Sequence, residues 1–164
     1  MGTVNNDMTT FYKNCIDALG SSDYQVVISV GNQVDIKLLE EYVTSSNSRA
    51  EFCILPYVDQ IAVLQKADAF LTHCGMNSVS EALYFKVPLL MYPQTNEQKG
   101  VAFRVDELGA GLYLTDETVM GIQTAFHEVL ENKEYQKHAA EISDSFARCG
   151  GSKGAVQKII DTII

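Results

Sequence analysis

AFLTHCGMNSVSEAL, residues 69 to 83, passes from an apolar triplet through a histidine, a glycine and small polar residues into a helical pattern. Downstream, PLLMYP (88 to 93) opens a second apolar run, so the segment reads strand, helix, strand. Two short apolar strands joined by a helix form a βαβ unit, which sets the strands parallel. The alternation continues outward in both directions. Strand-like runs stand at 24 to 30, 50 to 55, 69 to 73, 88 to 93 and 110 to 114. Helical spacing occupies about 8 to 19, 61 to 67, 78 to 86, 96 to 108, 117 to 131, 134 to 148 and 153 to 163, while 35 to 43 is ambiguous. The predicted fold is therefore α/β, a Rossmann-like parallel sheet with helices on both faces. The strands are apolar throughout instead of alternating, which predicts cover on both faces.

Composition narrows the class. The chain has 164 residues, enough for one domain with a hydrophobic core. Hydrophobic residues make up 46% and charged residues 20%, which excludes a disordered chain. A formal net charge of −9 argues against a nucleic-acid partner, since such proteins show a basic face to phosphates. No apolar run approaches the length of a membrane span, and no basic-then-apolar leader opens the sequence, so a soluble, cytoplasmic protein is expected. Cys15, Cys53, Cys74 and Cys149 have neither CxxC spacing nor histidine partners at zinc-ligand spacing. They are expected to be reduced thiols, most of them buried.

In an open α/β sheet, ligands bind at the carboxyl ends of the strands. Those ends carry Gly2-Thr3, Gly31, Tyr57 to Gln60, His73 to Ser78, Thr95 to Gln98 and Thr115-Asp116. A helix starting near His73, Gly75, Asn77 and Ser78 would turn unpaired amides and its positive dipole end toward an anion. Gly75 admits close approach of a ligand, and His73 can donate to an oxygen that becomes negative. A structural reading competes. Ser78-x-x-Glu81 and Thr95-x-x-Gln98 both have capping-box spacing, so these four residues could simply terminate their helices. A His73-Cys74 thiol catalyst is discounted because neighbouring residues at a strand end point to opposite faces. The chain has no GxGxxG after a first strand and no Walker lysine motif, and no acidic metal-binding cluster marks its strand ends, so no metal and no bound cofactor are expected.

Taken together, Tyr57-Val58-Asp59-Gln60, FLTHCGMNSVSEAL, VPLLMYPQTNEQ and ELGAGLYL resemble the donor-binding box of the family 1 UDP-glycosyltransferases. The bacterial branch, which includes macrolide glycosyltransferases, is nearest, because Met76 stands where plant enzymes carry Trp. The resemblance covers nearly the whole chain. It implies the C-terminal, nucleotide-sugar-binding half of a GT-B enzyme across residues 1 to 164, with a UDP-sugar or dTDP-sugar as donor substrate. By resemblance, Tyr57 occupies the position of a Trp that stacks on the base, and the Val58 backbone bonds the base edge. Gln60 and Glu81 match the ribose contacts. His73, Gly75, Met76, Asn77 and Ser78 match the segment that cradles the diphosphate, and Thr3, at the end of the first strand, is counted with the donor-binding residues. The acid-Gln pair that reads the sugar is Glu97-Gln98, where the family's Asp is one methylene shorter, so the sugar stays open.

The resemblance also implies an inverting, metal-independent transfer to a small-molecule acceptor, in which His73 stabilises the leaving diphosphate. The family's catalytic base and acceptor pocket lie in an N-terminal domain, the expected partner, so this chain alone is expected to bind donor weakly and to transfer nothing. MGTVNN reads as the end of a strand whose beginning is missing, which makes a piece of a longer protein the expectation. In the family's strand order, 3-2-1-4-5-6, that strand is central, and its loss predicts a gap in the sheet. Two other readings stand beside this one: the donor-binding subunit of a two-component GlcNAc transferase, and a non-catalytic nucleotide-binding module.

Overall fold

Leu89, Leu90 and Met91 are all fully buried, which is possible only for a strand with a core on each face. In the computed structural model, which describes residues 8 to 163, they form such a strand. In chain order the elements are α1 (Thr9–Leu19), β1 (Gln25–Ser29), α2 (Ile36–Ser45), β2 (Glu51–Leu55), α3 (Gln60–Leu64), β3 (Phe70–Thr72) and α4 (Met76–Tyr84). They continue with β4 (Leu89–Met91), α5 (Asn96–Glu107), β5 (Gly111–Tyr113), α6 (Val119–Glu131), α7 (Lys133–Arg148) and α8 (Gly151–Ile163). The ambiguous segment after residue 35 is thus a helix, α2, started by Asp35, whose side chain accepts from the Lys37 amide at 3.0 Å.

All strand pairs are parallel. Among the described residues they form two sheets, β1-β2 and β3-β4-β5. The central strand whose loss was expected to leave a gap falls on Gly2, Thr3 and Val4, which lie outside the described residues. Side-chain alternation along β4 builds the two cores. Leu90 joins α1, α2 and α6 in one cluster, with Ile16, Leu39, Ile122 and Val129, and that cluster also takes Ile54 of β2. Leu89 and Met91 join Val79 and Leu83 of α4, Val105 of α5 and Ala139 of α7 on the opposite face. Truncating Leu89 or Leu90 to alanine removes atoms from a filled interior, at about 2–5 kcal/mol.

Cover is unequal. The first cluster spans both sheets, but the second lies over β3 to β5, and Val27, Cys53 and Leu55 leave one face of β1-β2 exposed. Continuous apolar character therefore did not mean two buried faces for β1 and β2. The cysteine expectation is corrected with it: Cys15 and Cys74 are buried, Cys53 and Cys149 exposed. In the ELGAGLYL segment, α5 ends and Gly109 takes φ +67, a left-handed turn that delivers the chain directly into β5. A Cβ there would also meet His138 at 2.6 Å, and His138 Nδ1 lies 3.1 Å from the Gly109 carbonyl. No helix among the described residues is long and apolar enough to cross a membrane.

Candidate functional site

Parallel strands bring all their carboxyl ends to one edge, and the turn after β3 lies there. Thr72 is buried at the strand's end, and its carbonyl accepts the Tyr92 amide at 2.8 Å, prolonging the ladder to β4. Cys74 then adopts φ +66, a left-handed conformation uncommon for a residue with a side chain. Its amide donates to Thr72 Oγ1 at 3.1 Å, and its sulfur packs inward with no exposure. The reversal lets α4 start at Met76, with Gly75 as N-cap.

Two expectations change here. The helix begins two residues before residue 78, so Ser78 sits inside the first turn and forms no capping box with Glu81. Glycine at the cap explains the earlier start, because it leaves the turn free to close ahead of the serine. The His73-Cys74 dyad fails for a different reason from the alternation of strand faces: β3 has already ended, and burial pushes the Cys74 thiol up to about 12.

Gly75 supplies no side chain to the α4 amides. By contrast Asp35, Asp59, Thr95, Thr118 and Asn132 cap α2, α3, α5, α6 and α7 through their side chains. The first-turn amides of α4, at Met76, Asn77 and Ser78, are therefore left without a side-chain cap, with the helix dipole behind them. Met76 and Asn77 are exposed. His73 is half-buried beside them, and a Cβ on Gly75 would lie 3.0 Å from its Nε2, so the glycine makes room for the imidazole. Burial lowers the His73 pKa from its ordinary value, which favours a neutral ring with one N–H to donate.

Beside this turn stands a polar cluster. Gln60, the first residue of α3, donates from Nε2 to Glu81 Oε2 at 2.6 Å and to Ser78 Oγ at 3.3 Å. Asp59 fixes the start of α3 by accepting the Ala62 amide at 3.1 Å. Tyr57 precedes it, 63% exposed, and Val58 lies between them, half-buried. On the other flank Thr95 and Gln98 form the expected capping box: Gln98 Oε1 accepts the Thr95 amide at 3.1 Å and the Gln94 amide at 2.8 Å. That oxygen is committed to the helix, which leaves the Gln98 Nε2 as the group to offer a ligand. Glu97 is exposed in the same turn.

The structure thus joins Gln60, Ser78 and Glu81 by hydrogen bonds, sets His73 against Gly75, and leaves Tyr57, Met76, Asn77 and Glu97 open along the same edge. Thr3 lies outside the described residues. The start of α1 reaches the edge too, since Phe11 stacks on Tyr92 with centroids 4.8 Å apart and Gln94 Nε2 lies 3.8 Å from Met8 Sδ. Thr72 and Gln94 were not among the candidate residues. A threonine two residues before a sharp turn was the available signal for Thr72; nothing in the local pattern marked Gln94.

The chain matches the family model described as UDP-glucoronosyl and UDP-glucosyl transferase over residues 11–146. It is 40% identical over 161 residues to the NDP-glycosyltransferase YjiC of Bacillus subtilis (strain 168), across 97% of this chain and 40% of that protein. It is 34% identical over 165 residues to the uncharacterized UDP-glucosyltransferase YojK of the same organism, across 99% of this chain and 39% of that protein. Among solved structures, the glycotransferase of kitacinnamycin aligns with a TM-score of 0.82 at 25% identity, covering 99% of this chain and 41% of that one. The chain spans about two fifths of the length of these relatives. With its parallel Rossmann-like sheet, its α4 edge and these matches, the chain belongs to the UDP-glucoronosyl and UDP-glucosyl transferase family and has the fold of the C-terminal half of a GT-B glycosyltransferase.

Proposed function

We propose that this edge binds a nucleotide-diphosphate sugar, a UDP-sugar foremost, as the donor half of an inverting, metal-independent glycosyltransferase. The observation that carries the reading is the α4 N-terminus: its N-cap supplies no side-chain hydrogen bond, and His73 leans over the same turn. Names of relatives, one an NDP-glycosyltransferase and one a UDP-glucosyltransferase, support a nucleoside diphosphate as the group bound.

The residue roles follow from chemistry and position. Tyr57 stacks on the base and the Val58 backbone meets its edge. Glu81, with Gln60 holding its carboxylate in place, accepts from the ribose hydroxyls. The amides of Met76, Asn77 and Ser78, with His73, take the diphosphate, while Glu97 and the Gln98 amide reach the sugar hydroxyls. Transfer breaks the bond between the anomeric carbon and the β-phosphate oxygen, and the electron pair leaves with the nucleoside diphosphate. An acceptor oxygen attacks the opposite face, and its proton passes to a base supplied by an acceptor-binding domain of the longer protein. Oriented amides and the imidazole N–H meet the charge growing on the leaving group, so a cation is not required for that role.

On this reading the chain alone binds without transferring. Titration calorimetry with UDP, dTDP and GDP tests it, with UDP expected to bind with a Kd on the order of 1 mM or tighter. A folded chain that takes up none of the three at millimolar concentration would refute the donor-site assignment.

A further inference from the structure

The geometry points to Thr72 as a positioning residue for the diphosphate site, holding through one hydrogen bond the left-handed turn that aims both His73 and the first amides of α4. This inference rests on the donor-site reading above and deepens it.

Three observations meet at this residue. Thr72 is only 2% exposed, so its hydroxyl faces the protein interior and touches no ligand itself. That hydroxyl accepts the amide of Cys74 at 3.1 Å, and the Thr72 carbonyl lies 3.7 Å from the Cys74 sulfur and accepts the Tyr92 amide at 2.8 Å. Cys74, the residue so held, is at φ +66, where a side chain is disfavoured. A backbone in that region persists when its surroundings over-determine it, and here they do so from both ends: the buried thiol below and the Thr72 hydroxyl on the amide.

The consequence falls on the two neighbours of Cys74. Rotating Cys74 toward an ordinary conformation would swing the His73 peptide and the Gly75 peptide relative to each other. Nε2 of His73 already lies 3.0 Å from the place a Gly75 Cβ would take, so the ring and the cap are in register only while the turn is closed. The cap of α4 has no side chain to restore the geometry, and the alignment depends on the strand end. Thr72 thus acts through Cys74 on groups it does not touch. Valine at this position has the same shape and packs as a strand residue, but it cannot accept the amide.

The test compares Thr72→Val with Thr72→Ser in this chain. Amide hydrogen exchange at Cys74 and Gly75, the NMR signals of the His73 ring, and UDP affinity by calorimetry are the readouts. Expected results are lost protection at Cys74, a shifted His73 ring and about a tenfold weaker UDP affinity in Thr72→Val, with Thr72→Ser within about twofold of wild type. Unchanged exchange and ring signals in Thr72→Val overturn the inference, as does UDP affinity that stays near wild type once the turn has opened. If Thr72→Val does not fold, Thr72→Ser decides: retained signals and affinity support the hydroxyl as the agent, and their loss shows that the methyl packing matters instead. A wild-type chain that binds no UDP removes the donor-site reading and the positioning role with it, while the exchange and ring signals still show separately whether the Thr72 hydroxyl holds the turn.

Discussion

Helices α4 and α5 each follow a parallel strand of the same sheet, and each carries a Ser/Thr-x-x-Glu/Gln spacing near its start. Their N-termini are nevertheless opposite in kind. At α5 the Thr95 hydroxyl and the Gln98 side chain satisfy each other's backbone amides, so the helix end is closed. At α4 the cap is a glycine, Ser78 has slipped into the first turn, and its hydroxyl turns to Gln60 instead. One helix uses its capping groups for its own stability. The other leaves its amides and dipole available, and the site forms there.

The contrast breaks most easily at Gly75. Gly75→Asp places a capping carboxylate where the diphosphate is proposed to sit, and UDP affinity should fall about 100-fold or more while the melting temperature shifts by only a few degrees. Calorimetry and thermal melting together check this, and an affinity near wild type would end the claim that α4 is the open end. Next in size is Glu81→Ala, expected to weaken UDP about tenfold by removing the acceptor held by Gln60. The ribose assignment is sharpened by repeating the titration with 2′-deoxy-UDP, whose affinity should fall less in the same variant.

At the closed end the effect moves from binding to stability. Thr95→Ala should cost about 1 kcal/mol in urea unfolding and leave UDP affinity within about twofold. A large loss of affinity there would mean that the two helix ends share one role. The smallest effect is that of pH. Burial holds His73 below its ordinary pKa of 6.5, so the folded protein carries fewer protons than the unfolded chain in that range. Its contribution is fully present above pH 6.5 and is lost as pH falls through 6.5 toward the depressed value. Unfolding free energies measured across that range should decline less in His73→Gln than in wild type; equal slopes would show that His73 is not the group.

Much of this was legible beforehand because it depends on local pattern. Each apolar run became a strand and each helical pattern a helix, with ends moved by no more than three residues. Several residues that the strand ends had suggested do share the edge, and Gln60 meets Ser78 and Glu81 there across 18 and 21 residues of sequence. What escaped was conformational. Nothing in THCG announces that Cys74 takes a left-handed backbone, since that state is imposed by the buried thiol and by Thr72. Likewise β1 and β2 have the composition of doubly covered strands, yet Val27 and Leu55 stay exposed, because cover depends on which helices lie above them.

By itself the sequence determined the alternation of strands and helices, the edge where polar residues collect, and the family whose motifs they match. Periodicity and spacing carry that information because side-chain direction repeats every two residues in a strand and every 3.6 in a helix. Only the tertiary structure decided which helix start is closed and which is open. Capping is a competition for a few amides, and its winner depends on where the chain turns and on what stands across from it: Gln60 drew Ser78 and Glu81 toward α3, and Gly75 took the cap.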